Sequence, residues 1–195
     1  MSKSSGAPVA ILDRDGTIVV DRGYLGDPMG LQFAPGAAEG LRRLHRHGYR
    51  LVVVTNQSGV GRGFFPMSCV DAMNVRLQAM VEAAGATLEG IYVCPHAPSD
   101  ACACRKPAQG LMRRAAAELG FDPARAVVIG DKESDIEFGR LAGAKTVLIA
   151  AAVAAPPARV VPDWVVPDLS AAAHILTAAS TGERVEAPGA LNPKS

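Results

Sequence analysis

At 195 residues, 49% of them apolar, the chain is long enough to bury one substantial core and too short for two comfortable domains. Twenty Lys and Arg against nineteen Asp and Glu leave a formal net charge of +1, which excludes a broad electrostatic footprint for nucleic acid or an anionic membrane, so an anionic ligand must be held by local charges. No apolar stretch is long enough to span a bilayer, the start before Pro8 is too polar for a secretory signal, and no exposed apolar stripe stands out, so a cytoplasmic monomer is expected.

Short β-branched or aliphatic runs alternate with amphipathic segments, the pattern of a doubly wound, Rossmann-like α/β fold with a mostly parallel sheet and helices on both faces. The first strand is predicted over 9–12 and runs directly into Asp13-Arg14-Asp15-Gly16-Thr17. Two carboxylates two residues apart at a strand's carboxyl end can face one small space, where open α/β sheets bind ligands, although an Asx turn would use the same residues. Residues 18–33 lack a helical period and carry four Gly or Pro residues, so a hairpin or loop is expected to project beside the Asp pair. A helix over 37–47 closes at Gly48, and a strand over 50–55 ends in Thr55-Asn56-Gln57-Ser58-Gly59. A hydroxyl, amides and glycines after a buried strand can offer Thr55 Oγ1 and backbone N–H groups to a phosphate, or can simply form a polar connection.

The next helix is predicted over 68–84 with Cys69 as a small buried residue, followed by Gly85 and a strand over 90–94. Cys94, His96, Cys102 and Cys104 then lie within eleven residues. Three thiols and an imidazole in a loop too rich in Pro and Ala to bury inert cysteines suit a closed, structural Zn²⁺ site. Arg105 and Lys106 follow at once, a planar fork and a point charge that the metal would hold in place. A helix over 110–119 ends at Gly120, and a strand over 126–130 ends in Asp131-Lys132-Glu133-Ser134-Asp135. Asp131 can join Asp13 and the Asp15 backbone carbonyl around Mg²⁺, while Asp135 can orient that shell or act as a charge in the first turn of a helix over 134–142. Gly143, strands over 145–149 and 164–166, an Ala- and Pro-rich connector over 150–159 and a disordered tail over 179–195 complete the expected order.

In these motifs, DRDGT, VVVTNQSG, the lysine of CRKP and GDKESD in that order, the chain resembles the haloacid dehalogenase superfamily over residues 8–178. With Asp21-Arg22-Gly23-Tyr24 and the Cys-His-Cys-Cys loop, it is similar to the branch that holds heptose bisphosphate and histidinol-phosphate phosphatases. The resemblance implies a Mg²⁺-dependent phosphoric monoester hydrolase with Asp13 as nucleophile, Asp15 as acid and base, and Thr55 and Lys106 stabilising the transferring phosphoryl group. It also implies a small sugar phosphate as substrate, read by Asp21, Arg22, Gly23, Tyr24, Asn56, Gln57, Ser58, Arg105 and Lys132, with Arg14 fixing the loop. A receiver-like module phosphorylated on Asp is the non-hydrolase alternative; it needs neither Asp15 as an acid nor a stapled Arg-Lys loop.

Overall fold

The structure, a computed structural model, describes residues 6–150 and 160–181. Six parallel strands form one sheet: β1 (Val9–Leu12), β2 (Arg50–Asn56), β3 (Leu88–Cys94), β4 (Val127–Gly130), β5 (Lys145–Ile149) and β6 (Trp164–Val166). They lie in the order β3-β2-β1-β4-β5-β6. The chain winds outward from β1 to β3, then returns to the far side of β1 and winds out again. Connections therefore leave β1 and β4 in opposite directions, opening a crevice at their carboxyl ends. Asp13 and Asp131 follow those two strands directly.

The helices are α1 (Ala37–Arg46), the single turn α2 (Ser58–Gly61), α3 (Met67–Ala83), α4 (Gly110–Leu119), α5 (Glu133–Leu141) and α6 (Leu169–Thr181). Alternate residues of β1 serve opposite faces, as a strand's two-residue period requires. Ala10 and Leu12 pack with Leu41 and Leu44 of α1, Met73 and Leu77 of α3, and Leu169 and Leu176 of α6. Val9 and Ile11 pack with Leu111 and Met112 of α4 and Phe138 of α5. Helix α1 meets α6 at Gly40, where a Cβ would run into the backbone of Leu169.

The predicted order holds, and the predicted helix-closing residues Gly48, Gly85, Gly120 and Gly143 all take positive φ. β3 begins two residues earlier than expected because the sheet register shifts at Leu51/Val52, where Glu89 is extra. Arg50 holds Glu89 at 2.7 Å, so a charged residue sits in a strand whose sequence pattern it interrupts. The excursion over 18–33 is hairpin-like: Val20 N donates to Gln32 O, and Ala34 N to Ile18 O. Cys69 is in a helix as expected but half-buried. Helix α6 has no counterpart among the predicted elements, and it carries residues 179–181 of the predicted tail. The rest of that tail and most of the predicted connector lie outside the described residues.

Candidate active site

Three buried side chains, Asp13, Lys106 and Asp135, meet beside the half-buried Asp131 where β1, β2 and β4 end. Asp13 N donates to Ile129 O at 2.9 Å, tying the loop after β1 to β4. Lys106 comes from the other side of β2, and its Nζ lies 2.5 Å from Asp13 Oδ1, 2.7 Å from Asp135 Oδ1 and 2.7 Å from Val54 O. Three acceptors match the three N–H donors of an ammonium, which is how this charge can be buried. Burial disfavours the charged lysine, but Asp13 and Asp135 outweigh it and hold Lys106 above its ordinary value. One ammonium does not balance the carboxylates around it. Burial, with Asp135 and Asp131 nearby, pushes Asp13 up to about 7 against the pull of Lys106. Burial, aided by Asp135, pushes Asp131 up to about 6 although Lys132 opposes it.

That excess negative charge fits a cation. Oxygens of Asp13, Asp131 and Asp135 lie within 4.8 Å of one another, and Asp131 Oδ1 is buried without a hydrogen-bond partner. Hard carboxylate oxygens and an orphaned acceptor are what a small divalent ion requires. Gly16 lets the loop close here: at φ +89° a side chain is strained, and a Cβ would collide with the Asp131 carboxylate. Asp135 serves two ends, since its Oδ2 accepts from Lys132 N at 3.1 Å and caps α5 while Oδ1 holds Lys106.

Above this cluster lies a cleft of about 330 Å³ lined by Asp15, Asp21, Gly23, Tyr24, Asn56, Gln57, Ser58, Gly59, Phe65, Arg105 and Lys132. Lys132 Nζ crosses to Asp21 Oδ2 at 3.0 Å, linking the end of β4 to the excursion after β1. Asp21 also accepts from Gly23 N; these bonds with the cation nearby outweigh burial and hold its carboxyl below the ordinary value. At the rim, Tyr24 meets Phe64 edge-on at 4.6 Å between ring centroids. The Arg62 guanidinium lies 5.9 Å from the Tyr24 ring.

Cys94 at the end of β3 and the loop behind it form the second cluster. Cys94 Sγ is 3.1 Å from Cys104, 3.6 Å from Cys102 and 3.7 Å from His96 Nδ1; Cys104 is 3.1 Å from His96 Nδ1 and 3.5 Å from Cys102. A tetrahedron with metal–sulfur and metal–nitrogen bonds of about 2.3 and 2.0 Å has edges of roughly 3.5–3.8 Å, so the four groups could hold one ion. Although desolvation opposes it, N–H groups of Cys104 and Arg105 and the neighbouring thiols pull Cys102 down to about 6, toward the thiolate a metal needs. The loop is tied to the site, because Arg105 Nη1 donates to His96 O and Asn56 grips the Lys106 backbone through both its amide atoms.

The family model described as "HAD-hyrolase-like" matches residues 103–172. The protein named D-glycero-beta-D-manno-heptose-1,7-bisphosphate 7-phosphatase from Haemophilus ducreyi is 38% identical over 148 residues, covering 72% of this chain and 81% of its own. The one of that name from Yersinia pestis is 34% identical over 176 residues, covering 86% and 94%. The chain belongs to this family of haloacid dehalogenase-like phosphatases. A crystal structure of the D,D-heptose 1,7-bisphosphate phosphatase from B. bronchiseptica, complexed with magnesium and phosphate, superposes with a TM-score of 0.77 at 30% identity over 87% of this chain and 97% of that one.

On this phosphatase scaffold the predicted residues gather at one sheet edge with one exception. Asp13, Thr55 and Lys106 are buried and adjoin the cleft through Asp15, two residues on from Asp13, and through the chain neighbours Asn56 and Arg105, which line it. Arg22 stays out: its guanidinium donates to Gln32 Oε1 at 2.7 Å on the exposed side of the hairpin, so the cleft lining excludes it. Gln57 lines the cleft, but its NH₂ is committed to Asp15 Oδ2 at 2.7 Å and Thr55 Oγ1 at 2.8 Å. Phe65 also lines the cleft without being among the predicted site residues; an aromatic pair so soon after the glycines of the second motif is its only sequence signal. For the hold of Asp135 on Lys106, no local pattern exists.

Proposed function

We propose that this phosphatase removes the 7-phosphate of D-glycero-D-manno-heptose 1,7-bisphosphate through an aspartyl-phosphate on Asp13. One observation carries this reading: a buried Asp13 paired to Lys106 adjoins, through Asp15, a cleft whose wall holds two cations for a second phosphate, Arg105 on the cysteine loop and Lys132 bridged to Asp21. Asp13 attacks phosphorus, the bond from phosphorus to the sugar oxygen breaks, and that oxygen takes a proton from Asp15. Water then attacks the aspartyl-phosphate, gives a proton to Asp15 and releases phosphate, restoring the Asp13 carboxylate. Thr55 and Lys106 stabilise charge on the transferring group. Asp13, Asp131 and the Asp15 main-chain carbonyl would hold Mg²⁺, and Cys94, His96, Cys102 and Cys104 would hold Zn²⁺. Mg²⁺, when bound, neutralises the phosphoryl oxygens that would otherwise repel a carboxylate nucleophile.

Asp21, Gly23, Tyr24, Asn56 and Ser58 complete the sugar-facing wall of a single domain over residues 8–178 acting as a cytoplasmic monomer. Among the described residues no helix is long and apolar enough to cross a membrane. The product keeps its anomeric phosphate, as nucleotide-sugar synthesis requires. The relatives' names specify the beta anomer, so the test compares kcat/KM for both heptose bisphosphate anomers, histidinol phosphate and a generic hexose phosphate. Preference for a heptose bisphosphate, abolished by Asp13→Asn, is expected; equal turnover of all four would overturn the assignment. Retention of a stable phosphoprotein without phosphate release would favour a receiver-like module.

A further inference from the structure

Arg14 stands between the two carboxylates of DRDGT and is 1% exposed, the largest side chain so enclosed among the described residues. Filling a loop interior needs no charge, and a buried ion pair is often no more stabilising than apolar groups of similar volume, so a guanidinium here calls for a further reason. Its Nε lies 3.1 Å from Asp15 Oδ2, and its Nη2 lies 3.0 Å from that oxygen and 3.3 Å from Oδ1. Nη1 donates at 3.4 Å to Asn74 Oδ1 on α3. Gln57 Nε2 reaches Asp15 Oδ2 from the other side at 2.7 Å. Oδ2 thus accepts two hydrogen bonds, from Arg14 Nε and Gln57 Nε2, and has the Nη2 charge beside it, while Oδ1 accepts one long bond from Nη2 and keeps its remaining lone pair.

We propose that Arg14, anchored by Asn74, is a positioning residue that locks Asp15 through Oδ2 and leaves Oδ1 as the atom that gives and takes the proton. The inference rests on the acid and base role of Asp15 proposed above. In the first half-reaction the Oδ1 proton passes to the sugar oxygen as its bond to phosphorus breaks. In the second, Oδ1 takes a proton from the water that attacks phosphorus. A carboxyl free to rotate would still be present, yet seldom aligned, and alignment matters most for a poor leaving group.

The test compares kcat/KM, which reports steps up to leaving-group departure, for heptose 1,7-bisphosphate and for p-nitrophenyl phosphate, whose phenolate leaves without a proton. Arg14→Met is expected to lower the ratio of the two by about 10- to 100-fold, the scale of a misplaced catalytic group, with partial recovery in Arg14→Lys. Asn74→Ala, which removes only the anchor, lowers the same ratio by a smaller factor and carries the test if Arg14→Met does not fold. Equal losses on both esters, or an unchanged ratio in every folded variant, would overturn the proposal. Asp15→Asn serves as reference: an ester-independent effect there would remove the acid role itself and the proposal with it, whereas an ester-dependent effect there with none in the Arg14 and Asn74 variants defeats the positioning role alone.

Discussion

The Lys106 ammonium is matched donor for acceptor by Asp13, Asp135 and the Val54 carbonyl, and that match has an energetic consequence. Removing one partner of a buried charge pair leaves the other uncompensated, which typically costs about 3–5 kcal/mol. Lys106→Met is therefore expected to lose that order of stability in urea unfolding with metal chelated, and adding Asp135→Asn is expected to recover part of it. A single variant as stable as the parent would contradict the burial of this cluster. Gly16 belongs to the same scale, since only a residue without a side chain lets the loop after β1 approach Asp131.

Two connections between elements make predictions of their own. At the β5–β6 edge, Asp163 accepts from Thr146 N at 2.8 Å and Oγ1 at 2.9 Å, with Arg140 and Lys145 each 3.5 Å away. Burial works against the ionised form, yet these bonds and cations outweigh it and hold Asp163 below the ordinary aspartate value. A lowered folded value means that the stabilisation is complete above the unfolded value of about 3.9 and is lost as pH falls through the folded one. Asp163→Asn should cost about 1–2 kcal/mol near neutral pH in thermal or urea unfolding, and the difference should close in acid. A pH-independent difference would show that charge is not involved. In the cysteine loop, Cys102→Ser is expected to lower zinc content on metal analysis, speed proteolysis around residues 97–102 and raise KM, because Arg105 is tied to His96 O in the same loop. Full zinc occupancy with unchanged KM would detach the loop from substrate binding.

Over the whole molecule, the carboxylates at the crevice make stability depend on pH and metal together. Asp13 stands at about 7 and Asp131 at about 6, both above the roughly 3.9 of an unfolded chain. For raised values the sign is opposite to that of Asp163: their contribution is complete below the unfolded value and lost as pH rises through the folded ones. Without divalent cation, stability should decline between about pH 4 and pH 7 on this account. Mg²⁺ bound to the native state as proposed should raise stability by about 2.7 kcal/mol at a hundredfold excess over Kd, more at about pH 8 than at about pH 5, where protonated carboxyls compete. Thermal melts with chelator or Mg²⁺ at the two pH values check this; an unchanged Tm with Mg²⁺ at the higher pH would argue against the cation site.

The sequence by itself determined the order of the six strands and of α1, α3, α4 and α5, the helix-closing glycines, the chemistry at four strand ends and the four metal-competent side chains of the cysteine loop. These are local properties: period, turn chemistry and residue type carry them without reference to distant residues. It could not show β3 starting at Leu88, because Glu89 breaks the apolar run and only Arg50 across the sheet explains it. Nor could it show α6, whose alanine-rich stretch has a weak period and is defined by packing against α1. Tertiary structure alone removed Arg22 from the cleft, gave Asp135 its hold on Lys106 and turned Gln57 toward Asp15. Each of these joins elements that meet only when parallel strands gather their carboxyl ends, and a side chain's partner across that edge leaves no periodic mark in its own segment.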